Sequence, residues 1–173
     1  RWIRPIARTI YGEIPNFLGE NIKVFSIVRL TNVVPCPEKA HTENVYYSHI
    51  EQYNYAISQD SNVINLLIDT KHQSLFHNRG RAVSTKMIAG INYSLMLIHP
   101  DKASAYIDEN REKSKNRMRF TYYGTEYDFP ITDPTFIDCL KKSADKYTNI
   151  NDVYLTLSLG LEFEGWHHKL VAG

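Results

Sequence analysis

The chain has 173 residues, 43% apolar and 23% charged, a balance that calls for a packed core, fits one ordinary domain or two small ones, and excludes a disordered tract. Its 20 Lys and Arg against 19 Asp and Glu give a net charge of +1, so attraction to a polyanion must come from cations clustered locally. Apolar runs such as Tyr93 to Ile98 fall far short of the roughly 20 residues of a membrane-crossing helix, so none is expected.

Twelve Tyr and seven Phe, with Val, Ile and Thr gathered in short runs, favour strands over long helices. Ile22 to Leu30 reads as a strand, followed by a loop through Thr31, Asn32, Pro35 and Pro37. Val45 to Ile50 is a second extended segment. Asp60-Ser61 ahead of Val63, Ile64, Leu67 and Ile68 predicts a short helix from Ser61 to Thr70. Arg81 to Ile91 is ambiguous, because Ser84-Thr85 can cap a helix that Gly90 would soon interrupt.

The second half has clearer signals. Asn92 to His99 reads as a strand, Pro100-Asp101 as a turn, and Ala103 to Ile107 as an extended continuation. Two β-rich runs between Met118 and Ile131 flank Tyr123-Gly124-Thr125, a hairpin signal. Asp133 then caps a helix with Pro134 at its first position and Phe136, Ile137, Leu140 and Ala144 on its apolar face. Val153 to Leu159 and Trp166 to Ala172 are two further strands, joined through Gly160 to Gly165. The order from Asn92 onward is three strands, a helix and two strands. It fits the OB-fold, a five-stranded Greek-key barrel that serves as a platform for single-stranded nucleic acid.

Cys36 and Cys139 stand far apart in a chain too large to need stapling, which fits thiols in a reducing compartment and a cytoplasmic protein. The chain opens Arg1-Trp2-Ile3-Arg4-Pro5 without an initiator Met or an export signal, so we read it as a piece trimmed from a longer protein.

Several stretches carry a resemblance. They are Trp2-Ile3-Arg4-Pro5, His41-Thr42-Glu43-Asn44, Ser94-Leu95-Met96-Leu97-Ile98, and Phe120 to Tyr127 leading into Ile131-Thr132-Asp133-Pro134. Leu157-Ser158-Leu159-Gly160 and His168-Lys169-Leu170-Val171-Ala172 complete the set. In this order, over almost the whole chain, the sequence resembles the bacterial dual OB-fold domain family. The resemblance implies a mainly β, β-dominated α+β protein of two small OB-like barrels packed as one compact unit, residues 1–91 and 92–173. It also implies nucleic-acid recognition in a setting of defence against foreign elements. One departure is that family members carry an additional strand before the Trp-x-Arg-Pro segment.

The most informative local pattern is Arg111, Lys113, Lys115, Arg117 and Arg119 at strict alternation. In a strand, alternate residues share a face. The five cations would form a positive ridge for a phosphate backbone, with Tyr123 offering a stacking surface and Met118, Phe120 and Tyr122 turned inward. The competing reading is an edge strand whose charges discourage pairing with other molecules.

Arg79-Gly80-Arg81, beside His77 and Asn78, can present guanidinium and backbone donors to an anion, or be a charged loop. Trp2 with Arg1, Arg4 and Arg8 can likewise meet an anion, or Trp2 can anchor the core. Glu43 and Asn44 can read a base or ribose through hydrogen bonds, or cap a loop.

For metal, Cys36, His41, His49 and the His167-His168 pair lack the two close ligand pairs of a structural zinc site, and adjacent histidines in a strand point to opposite faces. No Ser elbow, P-loop or dinucleotide fingerprint occurs, and Asp133 has a complete role as a helix cap. We therefore expect a nucleic-acid-binding module without cofactor, metal or catalytic site. Its rivals are a sensor of a nucleotide or other small ligand between the barrels and an interaction module of a larger assembly.

Overall fold

A computed structural model describes residues 2–9, 12, 14, 22, 25–56, 61–109, 115–143 and 147–173. Strands dominate, as their composition requires. The chain divides into two compact units, Arg1–Leu67 and Ile68–Gly173.

In the first unit the strands are β1 (Arg4–Ile6), β2 (Ser26–Thr31), β3 (Val34–Pro35), β4 (Asn44–Tyr46) and β5 (His49–Ala56), followed by the short helix α1 (Ser61–Asn65). Among the described residues β4 lies between β1, to which it is parallel, and β3, to which it is antiparallel. The β2 strand pairs with β5. Of the strand expected over Ile22 to Leu30, β2 is described from Ser26, immediately after Phe25 at φ 67°; residues 23 and 24 lie outside the described residues. The segment expected as one strand from Val45 splits at Tyr47-Ser48 between β4 and β5.

The second unit contains β6 (Ala82–Ser84), β7 (Leu95–Ile98), β8 (Lys102–Asp108), β9 (Lys115–Tyr122), β10 (Thr125–Pro130), α2 (Pro134–Lys142), β11 (Tyr147–Ile150), β12 (Leu155–Phe163) and β13 (Trp166–Val171). One sheet runs β10-β9-β8-β11 and the other β6-β13-β12-β7. Their paired strands are antiparallel. Chain continuity at β7-β8 and β11-β12 joins the sheets on one side. On the other, Ile131 bridges Val171 in parallel, so the strands follow one another around a barrel.

Inward side chains at every second position fill it: Met96, Ile98, Met118, Phe120, Phe129, Leu155, Leu157 and Leu159 are buried, as the period of two demands. Phe120 meets the Tyr127 ring at 5.6 Å and the Phe129 ring edge-on at 5.4 Å.

The α2 helix starts as its sequence dictates. Asp133 Oδ1 accepts from the amides of Thr135 at 2.8 Å and Phe136 at 3.1 Å, and Pro134 occupies the first turn, where no N–H is missed. Phe136 lines a small apolar cavity with Met118, Ile131, Leu155 and Val171, which places the helix across one end of the barrel. The expected contribution of Ala144 lies outside the described residues.

Residues 68–91 group with the second compact unit, in which β6 pairs with β13 (Trp166↔Ser84, His168↔Ala82). The connection expected over Gly160–Gly165 is mostly strand. A bulge between Leu159 and Glu162 lets β12 run on to Phe163, leaving Glu164-Gly165 as the turn.

Candidate nucleic-acid interface

On β9 the predicted alternation is present: Met118, Phe120 and Tyr122 are buried, while Lys115 and Arg119 are exposed. Arg117 is only 4% exposed. Its Nε donates to Asp128 Oδ1 at 2.8 Å and its terminal nitrogen to the Asp128 carbonyl at 2.7 Å. The second Asp128 oxygen accepts from the Tyr106 hydroxyl and from Arg81, both at 3.1 Å. Burial works against the Arg117 charge, but the hydrogen bond and charge of Asp128 outweigh it and hold the guanidinium above its ordinary pKa.

Pairing with β10 also sets Thr121 opposite Glu126. Arg119 Nε lies 4.0 Å from the Glu126 carboxylate, and its guanidinium sits 5.4 Å from the Tyr106 ring centre. The neighbouring strands thus supply counter-charges to this face. Arg111 and Lys113 lie outside the described residues.

A different cluster forms where the loop from Asp69 to Arg81 meets the β9-β10 hairpin. The loop is pinned at several points. Asp69 exchanges hydrogen bonds with Leu97, its amide donating to the Leu97 carbonyl and its carboxylate accepting from the Leu97 amide. The Tyr122 hydroxyl donates to the carbonyls of Asp69 at 3.1 Å and His72 at 3.2 Å. The His72 ring stacks on Tyr93, centroids 4.7 Å apart. Burial chiefly pushes the hydroxyls of Tyr93 and Tyr122 up to about 12, with neighbouring Asp69 adding to both, so both stay protonated at neutral pH.

Further along, Lys169 reaches the loop from β13. It is fully buried, and Nζ donates to the carbonyls of Leu75 at 2.7 Å and Asn78 at 2.8 Å and to Asn78 Oδ1 at 2.8 Å. The rings of Phe129 and Tyr127 lie 5.8 and 6.0 Å from the ammonium. Burial pushes its pKa down to about 7, whereas three acceptors match the three hydrogens of the charged form. Asn78 Oδ1 also accepts from the Gly80 amide at 2.8 Å, fixing the turn beside Arg79.

The facing wall is the two-residue turn Tyr123-Gly124, with φ of 47° and 69°, joining the paired residues Tyr122 and Thr125. Consecutive left-handed residues match the twist of a hairpin. The turn leaves Tyr123 53% exposed. Between loop and turn lies a cleft of about 480 Å³, lined by Lys71, His72, Gln73, Ser74 and Arg79 on one side and by Tyr123 and Thr125 on the other. Among the described residues no carboxylate lines it, and neither Lys71 nor Arg79 forms an ion pair with one of them.

The structure thus brings together Arg79 and Tyr123 from the predicted set and adds Lys71, His72, Gln73 and Ser74. Arg81 is 62% exposed at its side chain but is held by Asp128. Glu43 and Asn44 are buried in the first unit, where the Arg4 amide donates to the Glu43 carbonyl at 2.9 Å. Burial lowers the Arg4 pKa and the Glu43 charge opposes that shift. Of the two readings open for Glu43 and Asn44, base or ribose contact and a structural role at a loop, their interior position favours the structural one. Trp2 is half-buried, and the Arg8 guanidinium lies 5.0 Å from the Tyr46 ring centre.

Among the described residues no group of three or more His, Cys, Asp or Glu could hold a metal ion, and no helix is long and apolar enough to cross a membrane. A family model described as a dual OB-containing domain matches residues 1–173. No curated protein matches the chain, and no solved structure does.

Proposed function

The chain belongs to the dual OB-containing domain family, and from that premise we propose that it is a binding module for single-stranded nucleic acid, holding phosphate on Lys71 and Arg79 and a base on Tyr123. The observation that carries this reading is the cleft: cations without described counter-ions converge on an exposed aromatic ring. That is the combination a single strand needs, since its phosphates require positive charge and its unpaired bases require a flat apolar face. A role in bacterial defence belongs to the same proposal and rests on the family resemblance, and a cytoplasmic setting joins it on the two free thiols, Cys36 and Cys139.

Binding measured against salt with single-stranded DNA, single-stranded RNA and duplex tests it. Single strands are expected to bind best, with log affinity falling by about 0.7 per bound phosphate for each unit of log salt. Equal affinity for all three, or none for any, would reject the reading.

A second reading, as a protein-interaction module, draws on the β12-β13 hairpin. There Leu161, Phe163 and Trp166 are exposed together, with Phe163 directly opposite Trp166. Glu162 and Glu164 flank them in sequence and would repel phosphate, so a protein surface suits this patch better than a nucleic acid does.

A further inference from the structure

The size and lining of the cleft say more about its ligand than that it is anionic. Its volume of about 480 Å³ lies within the range of about 300–1,000 Å³ typical of small-ligand sites. An extended strand of many nucleotides would need a groove. The lining also divides by chemistry. Lys71 and Arg79 are suited to a phosphate, Tyr123 to an aromatic ring, and the Gln73 amide with the Ser74 and Thr125 hydroxyls to groups that both donate and accept hydrogen bonds.

The walls are formed in advance. Tyr122 and Tyr93 hold the His72 end, Lys169 and Asn78 hold the Arg79 end, and the two-residue turn fixes the backbone at Tyr123. A preformed site loses less entropy on filling than a loop that must order around its ligand.

We infer that the cleft takes one nucleotide unit, with phosphate on Arg79 and Lys71, sugar hydroxyls near Ser74 and Thr125, and the base on Tyr123. This rests on the proposed nucleic-acid reading for the strand case. It does not require it, because a free nucleoside monophosphate presents the same chemistry.

The test titrates the full chain with adenosine 5′-monophosphate, adenosine and inorganic phosphate in turn. It follows the amide resonances of Gln73, Ser74 and Thr125 and the displacement of a short labelled single strand. The monophosphate should bind with a Kd on the order of 1 mM or tighter, better than adenosine or phosphate alone. Tyr123→Ala should reduce it to the level of phosphate, a loss of roughly 5-fold or more, and Arg79→Ser should reduce it toward adenosine.

Both side chains are exposed, so an unchanged amide spectrum outside the cleft will show that each variant is folded. If the monophosphate binds no better than phosphate, or shifts amides elsewhere, the inference is overturned. Displacement of the strand by the monophosphate supports both proposals. Strand binding that the monophosphate cannot displace overturns the nucleotide site and leaves the general function standing. Monophosphate binding by a chain with no affinity for strands does the reverse.

Discussion

The outer face of β9 and the cleft beside Tyr123 both carry cations in the second unit, yet they are chemically unlike. On β9 the neighbouring strands bring carboxylates to the same face: Asp128 takes Arg117 and Arg81, and Glu126 stands near Arg119. Along the cleft, Lys71 and Arg79 face a tyrosine and hydroxyls. Alternation along one strand establishes only that charges share a face. The strand hydrogen-bonded beside it decides whether that face has charge to offer.

The largest expected effect comes from breaking the neutralised side of this contrast. Asp128→Ala leaves the Arg117 guanidinium buried without its partner and should destabilise the protein by about 3–5 kcal/mol, read as a fall in denaturant midpoint at constant slope. A loss under about 1 kcal/mol would mean that water replaces the carboxylate, and that Arg117 is freer than its geometry implies. Any substitution set that includes Arg117 therefore tests folding before it tests binding.

Lys169 extends the comparison into the core, where oxygens of the loop serve in place of a carboxylate. Its folded pKa of about 7 lies below that of an unfolded lysine, so between the two values the unfolded chain holds a proton that the folded one has released. Stability should then rise with pH from about 7 toward 10, by at most about 1.4 kcal/mol per pH unit, and the burial cost should be fully present below 7. The rise should disappear in Lys169→Met. A wild-type curve that is flat above pH 7 would show that the three acceptors keep the ammonium charged.

The cleft side sharpens through two smaller changes. Tyr123→Ala should cost about 1–3 kcal/mol of single-strand binding with little loss of stability, measured by titration and thermal melting. Lys71→Ser with Arg79→Ser should flatten the salt dependence by about 0.7 for each phosphate no longer held. Smallest of all, Lys115→Ser with Arg119→Ser should alter stability by about 0.5 kcal/mol each at most and leave the salt slope unchanged. A flatter slope in this last pair would return the β9 face to the binding surface.

What the sequence reveals follows the range of the interactions. The Asp133 cap and the Tyr123-Gly124 turn are legible because each is settled within four residues, and the inward face of β9 because period two is local. The β11 strand is missed, since its run from Tyr147 has no alternating apolar pattern and is held by pairing with β8. The neutralisation of Arg117 depends on a register 11 residues away. The cleft depends on Lys169 reaching back to Leu75 across 94 positions. Glu43 and Asn44 are polar residues whose burial, 5% exposed each, depends on tertiary packing that no local pattern records.

Tyr123, Phe76 and His77 all hold left-handed backbone angles, with φ of 47°, 50° and 61°, and all belong to the two segments that wall the cleft. For a side chain with a Cβ such a conformation costs on the order of 1–3 kcal/mol, and for asparagine or glycine it costs less. Selection for heat tolerance and selection for ligand retention should therefore pull in opposite directions here. A library enriched only for survival at high temperature would accumulate Asn or Gly at 123 and discard the stacking ring, yielding a sturdier barrel with an empty-handed turn.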